Sequence, residues 1–426
     1  MFREFTLAEI TRMINGRGRT DMAELVRGVS INSRQTKPGD LFFALKGRQT
    51  DGHRYVRDAL QEGALASVVE HPQSTGREIF VSDSLFALGE LARRYRDDVK
   101  ARTIGITGTN GKTTVKNMVA AILSMTGRVL PTKYNYNSLI GLPLTILRSQ
   151  GDEDYLVLEM GTSAPGEIKR LCDIARPDIG LITNVGPGHL EGLQSIEGVM
   201  KEKISLVEAL PENGLSLVGD GAGELGRSGV ERFSSEMLEE ITLTERGSYF
   251  SYDGNPYSTR LLGMGNAYNC LAAIRLTAML GIPYHVQRRV LAQLAPEPGR
   301  MEPLHWGRLF IVNDTYNANP VSMRAAIDFT RHTKRRKIYV LGDMLELGDK
   351  AMELHEEIGK YARDSADLLI TFGVHAEYYD GEHFTDGNRL LRYLKNNIAG
   401  DEVVLFKASR ALHFETYVDA LARLMR

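Results

Sequence analysis

Cysteine is nearly absent, with Cys172 and Cys270 the only two in the chain. They lie far apart in segments that read as helix, which suits small buried hydrophobes in a reducing compartment better than a disulfide framework. Long apolar runs are missing too. No stretch approaches the roughly 18 residues of a membrane span, and the N-terminal MFREFTLAEITRMING carries charges throughout, so a cytoplasmic protein without membrane insertion is expected. Net charge is equally lacking, since 52 Lys and Arg stand against 54 Asp and Glu for a formal charge of -2. No global basic field exists to recruit nucleic acid, so an anionic ligand must be held by local groups. There is no internal repeat and no low-complexity tract.

What is present suits several cores: 42% hydrophobic and 25% charged residues in 426 positions, a length that predicts about three domains. The first hundred residues hold short apolar runs, Asp40 to Leu45 and Ala66 to Glu70, between turn-rich stretches, and read as a small α/β module. Near Arg102 the texture changes to strand–helix units. TIGITG, YLVLEMG and IGLITNVG look like buried strands of one parallel sheet, and Lys112 to Met125 is apolar at helical spacing. A helix-rich stretch from Asn269 to Leu294 ends at PEPGR, Pro296 to Arg300. Beyond it RLFIV, KIYVL, DLLITFG and EVVLF alternate with helical segments, which predicts a second parallel α/β domain. Asn319 before Pro320 reads as a helix cap. The expected domains are 1–99, 100–298 and 299–426.

The most specific signal is GITGTNGKTT, Gly105 to Thr114, between a predicted strand and a predicted helix. Gly108 and Gly111 let the backbone approach phosphate, N–H groups at the helix start face an anion, Lys112 supplies a cation and Thr113 offers a hydroxyl to Mg²⁺. Ile106 stands where the strict phosphate-loop pattern has its first glycine. Glu159 ends the strand YLVLE and would project at the carboxyl edge of the sheet, where a carboxylate suits Mg²⁺. His189, in NVGPGHLEG, follows the next strand to the same edge.

TNGKTT resembles the loop of the Mur ligases and of their folylpolyglutamate synthetase relatives. The resemblance covers essentially the whole chain. It implies three domains: a small N-terminal α/β UDP-substrate module, a central ATPase-like parallel-sheet domain and a C-terminal Rossmann-like domain for the amine substrate. It also implies that Gly108, Thr109, Asn110, Gly111, Lys112, Thr113 and Thr114 bind ATP. Asn269 would face the adenine, Arg300 the phosphates and Asp314 the ribose. Two Mg²⁺ ions would be held by Thr113, Glu159, His189 and a lysine carbamylated by CO₂. Lys203 of MKEKISL matches that lysine better than Lys201. Lys112, Lys203 and His189 are the implied catalytic groups. Ser33 and Arg34, with Asn135 and Asn137, would hold the UDP substrate. Gly265 replaces the usual His before Asn266, and Ala408 of KASR replaces a usual Gly.

NDTYNANP, YNYNSLIGLPLTIL and LGDMLELGDKAMELHEEIG resemble the branch of the family that adds D-alanyl-D-alanine. SINSRQTKPGDLFFALKGRQTDGH resembles the family's UDP-sugar module. The function implied is ATP-dependent amide ligation of D-alanyl-D-alanine to a UDP-N-acetylmuramoyl-tripeptide through an acyl phosphate, by a monomer. The alternatives are a Mur-like ligase of tripeptide-forming, pseudomurein or polyglutamate type, and a non-catalytic nucleotide-binding protein. Asp343, Glu346 and His355 occur at family-like spacings, and the sequence assigns them no individual roles.

Overall fold

Short, almost wholly apolar strands alternating with amphipathic helices fold into three main sheets, two wholly parallel and one mixed, in a computed structural model, which describes residues 4–18, 23–47 and 50–424. Arg48 and Gln49 of the UDP-module stretch lie outside the described residues, as do the first three residues of the N-terminal segment.

In the first unit Gly28–Ser30, Asp40–Phe43, Ala66–Val69 and Glu78–Phe80 pair in parallel in that order. Asp83 caps the following helix, Ser84–Arg96, by accepting from the Phe86 N–H at 2.8 Å. The inner face of that helix packs across the central unit. Its Leu88, Leu91 and Tyr95 belong to one apolar core with Leu142, Leu156 and Ile174.

The central sheet runs Val230–Arg232, Leu215–Val218, Ile179–Ile182, Arg102–Thr107, Tyr155–Glu159 and Val129–Pro131, all parallel. The chain leaves Arg102–Thr107 toward one side of the sheet and later returns on the other. The loops after Arg102–Thr107, Tyr155–Glu159 and Ile179–Ile182 therefore meet at a topological switch point, the crevice where open α/β sheets bind ligands. Between Val230 and Thr259 the sequence reading contained no element, yet Glu239–Thr244, Gly247–Tyr252 and Asn255–Thr259 form an antiparallel sheet. Helices Met264–Met279 and Tyr284–Gln293 follow it.

The third unit orders Glu302–Trp306, Leu309–Asp314, Val403–Lys407, Lys337–Gly342, Leu368–Phe372 and Glu382–Phe384. The four expected strands pair in parallel, and an edge strand the sequence reading did not contain is added to them. Glu302–Trp306 is antiparallel to Leu309–Asp314, because a two-residue turn at Gly307 and Arg308 joins them as a hairpin. Asn319 caps Pro320–Arg331 in a capping box with Ser322, with Pro320 in the first turn. Cys172 and Cys270 are buried in helices and free, and burial pushes both thiols up to about 12. Among the described residues no helix is long and apolar enough to cross a membrane.

Candidate nucleotide and metal site

The loop that leaves Arg102–Thr107 and enters the helix Lys112–Leu123 turns on two glycines with positive φ, 150° at Gly108 and 81° at Gly111. A Cβ on Gly108 would lie 1.9 Å from Thr183 Oγ1, and one on Gly111 would lie 2.2 Å from Asn269 Oδ1. Both positions thus demand glycine for space as well as for conformation. The neighbouring strand's loop pins the turn. Asn110 N–H donates to Asn184 Oδ1 at 3.0 Å, Thr183 Oγ1 donates to the Asn110 carbonyl at 2.6 Å, and Thr109 Oγ1 donates to the Gly186 carbonyl at 3.1 Å.

Lys112 folds its ammonium back onto the loop, donating to the carbonyls of Gly108 at 2.8 Å and Thr109 at 3.2 Å. Desolvation pulls its pKa down, opposed by the charge of Glu159. Arg300 and Glu346 also lie within its electrostatic reach, and Lys203 feels its charge in turn. Four residues drawn from all along the chain, three of them predicted site residues, therefore surround one ammonium.

Glu159 is 2% exposed. Its Oε1 accepts from Asn137 Nδ2 at 2.8 Å, but its Oε2 has no hydrogen-bond partner among the described residues. A buried carboxylate oxygen left bare is what a hard cation requires. The described residues contain no cluster of three or more His, Cys, Asp or Glu that could hold a metal. The single bare oxygen of Glu159 suits Mg²⁺, which takes one or two carboxylates and completes its shell with water and phosphate. Asn137, expected with the UDP-binding residues, is thus a neighbour of Glu159.

Lys203 lies 1% exposed on the helix Ile196–Glu208, whereas Lys201 is exposed. Burial, with Lys112 adding like charge, lowers Lys203 to about 7, so much of it is a neutral amine at neutral pH. His189 sits at φ 56° with its Nδ1 2.6 Å from Glu346 Oε2, close but not aligned as a hydrogen bond.

The third unit leans over the loop. Arg300 Nη2 donates to Thr113 Oγ1 at 3.1 Å while its guanidinium stacks 3.6 Å from the Tyr316 ring centroid. Asn319 Nδ2 donates to Asn110 Oδ1 at 2.8 Å. Asn269 is buried and donates to Asn266 Oδ1 at 3.2 Å. Asp314 is engaged within its own unit, accepting from Lys407 Nζ at 2.5 Å and from the Met301 N–H at 3.0 Å. Thr114 is half-buried at the helix start. Ser33, buried, and Arg34 and Asn135, exposed, make no hydrogen bond to the loop among the described residues.

The roles that spacing left open become legible. Asp343 accepts from the N–H groups of Val374, His375 and Ala376, between 2.7 and 2.9 Å, and so ties two strand ends together. His355 accepts from the Met344 N–H at 3.0 Å and faces the Ala351 carbonyl with Nδ1 at 2.6 Å, which fixes the Nδ1–H tautomer. These two residues hold the loop that carries Glu346 to His189. Ala408 fits without distortion, its methyl against Gly342, which offers no Cβ of its own.

A loop shaped for phosphate at a switch point, covered by a second α/β unit, defines a nucleotide-dependent α/β enzyme. Profiles described as the Mur ligase family catalytic domain, the Mur ligase middle domain and the Mur ligase glutamate ligase domain match residues 25–96, 106–277 and 299–423. The chain is 35% identical over 447 aligned residues, 98% of each chain, to the UDP-N-acetylmuramoyl-tripeptide–D-alanyl-D-alanine ligase of Bacillus subtilis (strain 168). Its fold superposes on MurF from Acinetobacter baumannii with a TM-score of 0.93 at 26% identity, covering 99% of each chain. It superposes on the MurF ligase of Thermotoga maritima, solved with ADP, with a TM-score of 0.85 at 29% identity, covering 94% of this chain and 98% of that one. The chain belongs to the Mur ligase family.

Proposed function

We propose that the protein is an ATP-dependent amide ligase that joins D-alanyl-D-alanine to the carboxylate of a UDP-N-acetylmuramoyl-tripeptide in peptidoglycan precursor synthesis. The observation that carries this reading is the end-to-end similarity to ligases so named, 98% of both chains in the Bacillus relative.

The backbone from Gly108 to Thr114 cradles the ATP phosphates, with Lys112 placing positive charge where it accumulates in phosphoryl transfer. Arg300 reaches the same phosphates, and Asn269 and Asp314 face the nucleoside. Asp314 exchanges part of its contact with Lys407 on binding. Thr113, Glu159, His189 and a carbamate on Lys203 hold up to two Mg²⁺ ions. When bound, these ions neutralise charge on the phosphoryl oxygens. Ser33, Arg34, Asn135 and Asn137 hold the UDP substrate. A carboxylate oxygen of the tripeptide attacks the γ-phosphorus, the bond to ADP breaks, and an acyl phosphate forms. The dipeptide amine then attacks the acyl carbon, the carbon–oxygen bond to phosphate breaks, and the amine gives up a proton. Water is the competing nucleophile, so closure of the third unit over the loop precedes chemistry. The units span 1–99, 100–298 and 299–426 with the hinge at Pro296–Arg300. The enzyme acts as a cytoplasmic monomer without a nucleic-acid partner.

The test is ADP release with ATP, Mg²⁺ and UDP-muramoyl-tripeptide across a panel of amines. D-Alanyl-D-alanine should exceed L-lysine, meso-diaminopimelate, D-glutamate and free D-alanine by roughly a hundredfold. A ligand lacking the amide or carboxylate leaves buried polar groups unpaired at about 1 to 3 kcal/mol each. Preference for a diamino acid on the UDP-muramoyl-dipeptide would move the enzyme to another branch, and no turnover with any pair would support a non-catalytic protein.

A further inference from the structure

Lys112 and Lys116 are four residues apart on the helix Lys112–Leu123 and share a face, but only the first belongs to the phosphate loop. Lys116 is 3% exposed, and its ammonium donates to the carbonyl of Thr132 at 2.7 Å. Thr132 is 1% exposed. Its hydroxyl accepts from the Glu159 N–H at 3.0 Å, and its own N–H donates to the Val157 carbonyl at 3.0 Å. The edge strand Val129–Pro131 thus continues its ladder beside Tyr155–Glu159 for one further residue, and that residue is clamped from below by a buried cation. A buried ammonium is unfavourable, and an apolar side chain of similar length would fill the space without desolvating a charge. Its presence beneath Glu159, whose charge it feels, calls for a use.

We infer that Lys116 and Thr132 are positioning residues for Glu159, fixing the end of its strand so that the unpaired Oε2 is presented to a divalent cation beside the phosphate loop. Asn137 holds the other carboxylate oxygen, so Glu159 is fixed at its backbone by Thr132 and at its side chain by Asn137. Neither Lys116 nor Thr132 touches substrate. They act through Glu159, as partners behind a metal ligand commonly do. The inference rests on the ligase reading above.

The experiment titrates Mn²⁺ into the full-length protein with saturating ADP, following free Mn²⁺ by electron paramagnetic resonance, and separately measures ADP affinity in EDTA. Lys116→Met should weaken Mn²⁺ binding by about tenfold and Thr132→Val by several-fold, while ADP affinity in EDTA stays within about twofold. Lys116→Arg, which can still donate to the Thr132 carbonyl, should recover most of the loss. Unchanged Mn²⁺ affinity in both Lys116→Met and Thr132→Val overturns the inference, as does an equal fall of ADP affinity in EDTA, which would mark a general defect of the loop. If Lys116→Met does not fold, Thr132→Val, which removes one hydroxyl at nearly constant shape, decides alone. A wild-type protein that binds Mn²⁺ and ADP but refuses D-alanyl-D-alanine overturns the substrate assignment and leaves this inference standing.

Discussion

Lys203 should react with CO₂ at neutral pH, and the size of the effect follows from its burial. Carbamylation consumes the neutral amine, and with its pKa lowered to about 7 the residue supplies that form readily. At pH 7.5 about three quarters of it is neutral, against about one in a thousand for a lysine titrating near 10.4, an advantage of several hundredfold. The same Lys112 charge that disfavours the ammonium favours the carbamate anion that replaces it. The sign of the pH dependence is fixed. Because the folded pKa is depressed, the reactive form is abundant above pH 7 and is lost as pH falls through it. At constant dissolved CO₂ the loading rate should therefore drop roughly tenfold per unit below pH 7. The assay is carbon-13 NMR of the enzyme equilibrated with labelled bicarbonate, run beside ligation rates in CO₂-depleted and CO₂-supplied buffer. Lys203→Ala should lose both the carbamate resonance and turnover, and recover part of the turnover with acetate or formate. A wild-type spectrum without the resonance at pH 7.5 refutes the reasoning. A resonance that survives Lys203→Ala and disappears in Lys201→Ala shifts the modification to the exposed lysine.

Lys112→Ala should fold, since alanine is well tolerated at a helix start, yet lose ligation by roughly a thousandfold or more; circular dichroism and the ADP assay check the two halves, and comparable turnover would remove Lys112 from the phosphate site. Gly342→Ala would place a methyl 2.6 Å from Ala408 Cβ and 2.7 Å from Phe414 Cζ. It should therefore cost about 1 to 3 kcal/mol in urea unfolding, and adding Ala408→Gly should restore part of that loss. A neutral single substitution would show that this corner is looser than its packing indicates.

The features legible in sequence are those with local grammar. The Gly108 and Gly111 turn, the strand-end position of Glu159 and the cap–proline pair at Asn319 and Pro320 each depend on residues a few positions apart. The contacts that complete the site do not. Glu346 meets His189, Asn319 meets Asn110 and Arg300 meets Thr113 across separations of 157 to 209 residues, in pairs whose spacing carries no periodic signal. Lys116 has no local signal that separates it from any other polar residue on a helix, because only the neighbouring strand end shows that its ammonium is enclosed. Likewise the antiparallel strands from Glu239 to Thr259 mix exposed and buried positions too irregularly for simple alternation to mark them.

The core shared by the first unit and one face of the central sheet has a mechanical meaning. Phe5, Leu88 and Tyr95 are packed with Leu142, Leu156 and Ile174, so these two units share one of their interiors, although each also keeps a cluster of its own, and the shared face should unfold cooperatively. The third unit keeps apolar clusters largely its own on both faces of its sheet. The weaker seam therefore lies between the central and third units, and a packing defect around Phe5 is felt as loosening of the central sheet before it reaches the third unit.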